Sequence, residues 1–199
     1  MRKIYFATTN AGKILAAKSK LAPLGFRVVQ VKTEIDEPEH TKDSRKIVRA
    51  KCAAALKKVG GPVICEDGGF FVKAFGWKPG VSIHGYLETP NSKGMRGVEK
   101  LLYDLRNSKD RRAYFLNVSA YMEAGWREPI YFSSKVEGKV LKAQRGRQRA
   151  RNWSPVHLVF VPDLRAKTMA EMSDREYAEF SDEVSTFKKM AGWLAQREW

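Results

Sequence analysis

Val63-Ile64-Cys65-Glu66-Asp67-Gly68-Gly69-Phe70-Phe71-Val72 is the stretch whose reading decides the fold. Val63 to Cys65 is short, β-prone and preceded by Gly60-Gly61-Pro62, which fits a buried strand better than a helix. Asp and Glu are poor strand formers, and adjacent carboxylates repel, so a pair at a strand end is usually solvated or holding a cation. Gly68-Gly69 lets the backbone turn or come close to a ligand. The local pattern predicts strand, carboxylate pair, tight turn, strand. A hairpin with a charged corner reads the same way, and the rest of the chain must decide between them.

Upstream, Lys3 to Thr8 is a short apolar run ending in Thr8-Thr9-Asn10, and Ile14, Ala17, Leu21 and Leu24 then recur at helical spacing up to Pro23 and Gly25. The Thr/Asn turn therefore joins a strand end to a helix start, where backbone N–H groups, the positive dipole end and Lys13 in the first turn favour an anion. An Asn or Thr helix cap is the commoner explanation for such a turn. The spacing Gly-x4-Gly-Lys-Ser/Thr of a P-loop is missing. Phe26 to Val31 reads as a second strand, Glu34, Asp36, Glu37 and Glu39 lie in an acidic loop, and Ser44 is expected to cap a helix to about Val59 with Ile47, Ala50, Ala54 and Leu56 apolar.

Downstream, Gly76 to Val81 is turn-rich, and Gly94 to Leu105 is helical with Val98, Leu101, Leu102 and Leu105 on one face. From Arg111 the pattern changes to long alternating strands, Ala113–Tyr121 and Glu128–Val136, separated by the hairpin signal Glu123 to Trp126. Val156 to Val161 is expected to be another strand, followed by helices as far as Trp193.

At 199 residues the chain is long enough for one domain, and 43% hydrophobic with 30% charged residues is ordinary for a globular protein. No apolar run approaches the roughly 18 residues of a membrane helix, and Met1-Arg2-Lys3 leads into a strand rather than a signal peptide, so no membrane partner is expected. Cys52 and Cys65 form neither a CxxC nor a zinc pattern, which suits a reducing cytoplasmic setting. The 37 basic against 22 acidic residues give +15, a balance that attracts nucleotides, nucleic acid or anionic surfaces. Much of the excess lies between Lys139 and Arg151, which reads either as a solvated basic loop or as a phosphate or nucleic-acid contact.

The segments Ala7-Thr8-Thr9-Asn10-Ala11-Gly12-Lys13, Glu66-Asp67-Gly68-Gly69-Phe70, Pro79-Gly80-Val81, Arg112-Ala113-Tyr114-Phe115 and Thr168-Met169-Ala170-Glu171-Met172 resemble, in order and spacing, those of the Ham1 family, the inosine triphosphate pyrophosphatases. The resemblance spans essentially the whole chain. It implies an α/β fold in which a long twisted mixed β-sheet carries helices that form two lobes around a nucleotide cleft, with residues 1–199 as one two-lobed domain, usually a homodimer. It also implies Mg²⁺-dependent hydrolysis of a nucleoside triphosphate between the α and β phosphates, giving the monophosphate and pyrophosphate. Mapped onto this chain, Thr8, Thr9, Asn10 and Lys13 would bind the triphosphate, Gly68 would stand at the carboxylate turn, and Glu39, Glu66 and Asp67 would hold Mg²⁺. Asp67 would orient or deprotonate the attacking water, with Lys13 also in a catalytic role; Glu37 is the fallback for Glu39.

The departures concern the base. Where the family carries a Lys-Asn pair and then a Ser-His-Arg run, this chain has Tyr177-Ala178 and Ser181-Asp182-Glu183. Where the family has aromatic-Gly-aromatic-Asp-Pro, this chain has Arg151-Asn152-Trp153-Ser154-Pro155; a family Glu is Ala16, and the Ser of its Asp-Ser-Gly turn is Gly68. Donors that read a keto oxygen have been replaced by acceptors, which suits a base presenting an amino group. Trp153 can stack on a base or pack under the basic loop. His84 lies where the family lines its cleft, though a lone His is more often a surface residue, and His157 reads as structural. Phe187, Trp193 and Leu194 read as core or as a dimer seam. Two other readings remain open: a relative without turnover that binds nucleotide or nucleic acid, using 139–151, and a scaffold.

Overall fold

The computed structural model describes residues 1–32, 43–149 and 154–197. In chain order the described elements are β1 (Arg2–Ala7), α1 (Ala11–Leu21), β2 (Phe26–Val31), α2 (Ser44–Val59), β3 (Val63–Val72), β4 (Lys78–Gly80), α3 (Ile83–Glu88), α4 (Gly97–Asp104), β5 (Arg112–Met122), β6 (Ile130–Val140), β7 (Phe160–Pro162), α5 (Asp174–Glu183) and α6 (Thr186–Leu194). The seven strands form one mixed sheet in the order β2-β1-β3-β5-β6-β7, with β4 added to β3. β1 runs parallel to β2 from Arg2↔Phe26 to Ala7↔Val31, and parallel to β3 at Tyr5↔Val63 and Phe6↔Ile64. β4 is antiparallel to β3, and β7 to β6. The α/β class and mixed sheet expected from the sequence are present. Among the described residues no helix is long and apolar enough to cross a membrane.

The chain divides into two compact units, one of Met1–Asp67, Asn117–Ser134 and Ser185–Trp199, the other of Gly68–Leu116 and Lys135–Val184. In the first, alternate positions of β1 and β3 place Ile4, Phe6 and Ile64 on one face, where they pack with Ile14, Ala17 and Leu21 of α1 and Phe187, Met190 and Leu194 of α6. Phe187 and Leu194 are thus core residues, and Trp193 packs edge-on to Tyr121 with ring centroids 5.3 Å apart. In the second, Phe70, Phe115 and Phe160 meet at centroid separations of 4.6 to 5.6 Å, with Val98 and Leu101 of α4 and its C-cap Leu105 around them. Each such fully buried side chain contributes about 1.5 to 3 kcal/mol of apolar burial.

Three expectations are corrected. β3 runs unbroken through Glu66-Asp67-Gly68-Gly69, with no turn between carboxylates and Phe70. The glycines answer crowding instead: a Cβ on Gly69 would stand 2.7 Å from the Gly80 carbonyl carbon and 2.8 Å from Val81 N, so the neighbouring β4 backbone fills the space of a side chain. Helix α2 is capped by Asp43, whose carboxylate accepts from Arg45 N–H at 2.9 Å, and Ser44 is its first residue. Its buried stripe is Ile47, Val48, Cys52 and Ala55 rather than the positions expected at 50, 54 and 56. Finally, only Phe160 to Pro162 of the expected last strand is extended; Pro155–Leu158 is a short 3-10 turn, because the Ser154 hydroxyl accepts from Val156 N–H at 3.3 Å and Pro155 fits the first helical position.

Gly69→Ala is expected to destabilise the protein by about 1 to 3 kcal/mol through overpacking, whereas Gly85→Ala in α3, whose added Cβ meets nothing within 4 Å, is neutral or slightly stabilising. Urea unfolding midpoints of the two variants against the parent check the contrast.

Candidate functional site

The end of β1 and the start of α1 are tied by two side chains. Thr8 Oγ1 accepts from Asn10 N–H at 3.1 Å, and Asn10 Oδ1 accepts from Lys13 N–H at 3.1 Å, closing the helix start. The Asn cap accordingly uses the Lys13 amide, while the Thr8 hydroxyl keeps its own hydrogen as a donor. Thr9 is exposed at the apex of this turn. The capped first turn sends the Lys13 ammonium to Glu66 Oε2, 3.6 Å away, with the two side chains only 18% and 10% exposed.

The next residue of β3 repeats the arrangement with a different helix. Lys51 Nζ of α2 stands 3.4 Å from Asp67 Oδ1, with side chains 16% and 17% exposed. Successive strand residues project to opposite faces, so Glu66 shares the face of Ile64, covered by α1, and Asp67 shares the face of Cys65, whose thiol hydrogen-bonds with Cys52 of α2. The structure thus brings together Thr8, Asn10, Lys13 and Glu66 on one side of the sheet, and Lys51 and Asp67 on the other. It does not bring the Glu66 and Asp67 carboxylates onto one face.

Lys51 was absent from the candidates read in the sequence, although a signal for it existed. Ile47, Lys51 and Ala55 are spaced by four, and Val48 and Cys52 flank them, so Lys51 is a lysine placed on the stripe by which α2 packs on the sheet. Ion pairs this far from water are poor stabilisers, because desolvation offsets much of the attraction. Two of them on consecutive strand residues are better explained by a ligand that uses the charges. Burial also pushes the Cys65 thiol well above its ordinary range, with the Cys52 thiol adding to the shift, so these cysteines are apolar packing beside the carboxylates.

A sequence model of the Ham1 family matches residues 4–193. The chain belongs to the Ham1 family. It is 32% identical to the dITP/XTP pyrophosphatase of Methanopyrus kandleri over 96% of this chain and 95% of that one. It is also 34% identical to the dITP/XTP pyrophosphatase of Hyperthermus butylicus, over 98% of this chain and 96% of that one. Its fold matches that of a Ham1 protein from Coxiella burnetii with a TM-score of 0.84 and 22% identity, covering 99% of this chain and 100% of that one.

In this Ham1 chain the described residues expected from the sequence at the base lie in the second unit. Tyr177, Ser181, Asp182 and Glu183 are carried by α5, which opens with a capping box between Ser173 and Glu176. Tyr177 is half-buried against the core and lies 6.4 Å from the His157 ring. Ser181 and Asp182 are half-buried, whereas Glu183 is exposed and accepts from Arg165 Nη2 at 2.7 Å. Ser154 is buried, its hydroxyl committed to the 3-10 turn, and Gly68 is half-buried within β3. Glu37, Glu39 and Trp153 lie outside the described residues. His84 is exposed on α3 and faces Glu88 at 3.6 Å.

His157 is fully buried, edge-on to Phe115 at 5.7 Å, and burial pushes its pKa down to about 3. The folded state keeps it neutral, so its contribution to stability is present above the unfolded value of about 6.5 and is lost as pH falls towards 3. Across that window it adds a slope of up to about 1.4 kcal/mol per pH unit. Denaturation of the parent and of His157→Gln at pH 6.5, 5.5 and 4.5 is expected to show this slope in the parent and its loss in the variant.

Proposed function

We propose that this chain is a nucleoside triphosphate pyrophosphatase, hydrolysing the α–β anhydride to give the monophosphate and pyrophosphate. The observation that carries the reading is the pair of shielded lysine–carboxylate contacts on consecutive residues of β3. The names of the Ham1 relatives, dITP/XTP pyrophosphatase, agree with that chemistry.

Hydrolysis places a water oxygen on phosphorus, breaks the α–β bridge and releases pyrophosphate with a proton to dispose of. Asp67 is suited to orient that water and take the proton. Lys13 and Lys51 supply positive charge where charge builds up on the phosphates, and the Thr8 hydroxyl with the first turn of α1 supplies neutral donors. Among the described residues no three His, Cys, Asp or Glu side chains gather into a metal-binding group. Glu66 and Asp67 offer hard oxygens on opposite faces, so a cation beside β3 would take one of them with several waters and phosphate oxygens, as Mg²⁺ does, rather than being caged by protein. In this reading Asp67 with Glu39 would hold it, Glu66 on the other face staying with Lys13, and the cation would neutralise phosphate charge when bound.

The base selectivity is proposed to differ from that of inosine and xanthosine enzymes. Acidic Asp182 and Glu183 stand where the family carries His and Arg, and the Arg165 contact shows that Glu183 is already oriented by a cation. The two units are proposed to act as the lobes of one domain in a cytoplasmic homodimer. A second reading, a relative with little turnover that binds nucleotide or nucleic acid, is favoured only by the surplus of basic residues.

Pyrophosphate release by purified protein, across standard, deaminated and modified nucleoside triphosphates, is the deciding measurement. Release is expected to need a divalent cation, to stop on chelation, and to fall at least about a hundredfold in Asp67→Asn and in Lys51→Ala. Equal loss in Lys13→Ala would extend the role to the other face. Turnover of ITP and XTP above every amino-bearing base would overturn the altered selectivity, and silence of the folded parent across the panel would overturn the enzyme itself.

A further inference from the structure

In the second unit the sheet face opposite the Phe70/Phe115/Phe160 core carries aromatic and charged side chains. Arg112 and Tyr114 share this face of β5, and Lys135, Glu137 and Lys139 share it on β6, since their neighbours Ala113, Phe115, Val136 and Val140 point into the core; Glu137 pairs with Lys135 at 2.5 Å. Val140 N–H donates to the Arg111 carbonyl, which sets Arg112 and Lys139 opposite each other as the next pair. Like charges in that position are destabilising. Asp110 relieves only one of them, pairing with Arg112 at 2.6 Å. At the sheet's end a groove of about 620 Å³ is lined by Lys109, Arg112, Lys139 and Lys142, among others. Its floor is fixed by Arg111, whose guanidinium donates to the carbonyls of Leu105, Val140 and Leu141 at 2.6 to 2.8 Å, so the charges at its mouth stand on rigid backbone.

The same face has an aromatic end. Phe71 and Tyr114 stack with centroids 4.6 Å apart and 8° between planes. Trp77 leans on Tyr114 at 5.2 Å while remaining 43% exposed. It does so at φ 63, a conformation that bulky side chains rarely adopt. A large exposed ring held at a strained backbone position is a candidate for contact with a ligand.

We propose that this face binds single-stranded nucleic acid, with backbone phosphates in the groove between Lys109, Arg112, Lys139 and Lys142 and an unpaired base against Trp77. Residues two apart on a strand are about 6.6 Å apart, near the reach from one backbone phosphate to the next, and base stacking on an exposed ring is sequence-tolerant. None of these residues belongs to the lysine–carboxylate pairs of β3, so the two proposals fail independently.

Fluorescence anisotropy with labelled dT and rU oligomers of about twelve nucleotides tests it. Affinity is expected to fall with salt at a log–log slope of about −2 to −3, the value for three or four phosphate contacts on a single strand. Lys139→Glu with Lys142→Glu is expected to weaken binding at least about tenfold and flatten the slope, and Trp77→Ala to weaken it about tenfold while leaving pyrophosphate release unchanged. A blunt-ended duplex is expected to bind less tightly than the single strands. No binding at low salt, binding insensitive to either variant, or duplex bound by the parent as tightly as the single strands would overturn it. So would sedimentation showing a dimer that dissociates in Trp77→Ala, because the face would then be a seam between copies.

Discussion

Two carboxylates on consecutive residues of an interior strand are the constraint around which the first unit is arranged. Each is largely shielded from water, and an unpaired charge in that position would cost several kcal/mol. Strand alternation sends them to opposite faces, and each face brings its own lysine: Lys13 from α1, Lys51 from α2. Both helices must therefore dock in one register. For α1 the register is set by the Asn10 cap, which fixes where the first turn begins, and by Ile14, Ala17 and Leu21 below it. For α2 it is set by the stripe of Ile47, Val48, Cys52 and Ala55, with Lys51 in its midst.

The continuity of β3 follows from the same demand. A turn after Asp67 would free the carboxylates to swing into solvent; an unbroken strand holds them at fixed height beside their lysines. Gly69 makes that possible where β4 comes in closest, since the Gly80 backbone occupies the volume a side chain would need. Beyond Gly69, Phe70 turns into the second unit's core and Phe71 to its other face, where the aromatic stack begins. One strand thereby supplies charge in one unit and packing in the other.

How much of this could be read from residues alone depends on the range of the forces involved. The Thr8-Thr9-Asn10 cap, the α1 stripe, the α4 face and the long strands from Arg111 are local patterns of period 3.6 or 2, and the structure shows them, save that α1 ends at Leu21 and leaves Leu24 exposed in a 3-10 turn. The carboxylate pair was legible as unusual, but its glycines were misread as a turn because their reason, the backbone at Gly80 and Val81, lies further along the chain. The cap at Asp43 was missed in favour of Ser44, one residue along, since both are good cap residues and only the direction of the helix face separates them. Lys51 was hidden by its company: in a helix with Lys46, Arg49, Lys57 and Lys58, nothing but its phase against the buried stripe distinguishes it. For Val156 to Val161, β-branched composition favoured a strand, and the competing signal, Ser-Pro opening a 3-10 turn, won.

The excess of positive charge takes two physically distinct forms in this molecule. Lys13 and Lys51 are shielded and already opposed by carboxylates, so a phosphate reaching them competes at short range and in a low dielectric, where geometry decides. Arg112, Lys139 and Lys142 are exposed, and at physiological ionic strength their field fades within about 8 Å. Such charges cannot align a reacting phosphate, but spaced along a rigid edge they can hold a polyanion that contacts several of them at once. The shielded pairs can therefore govern a reaction while the exposed edge governs what large anion lies nearby. A net charge of +15 describes neither role; the two rest on Lys109, Arg112, Lys139 and Lys142 at the groove mouth and on Lys13 and Lys51 beside β3.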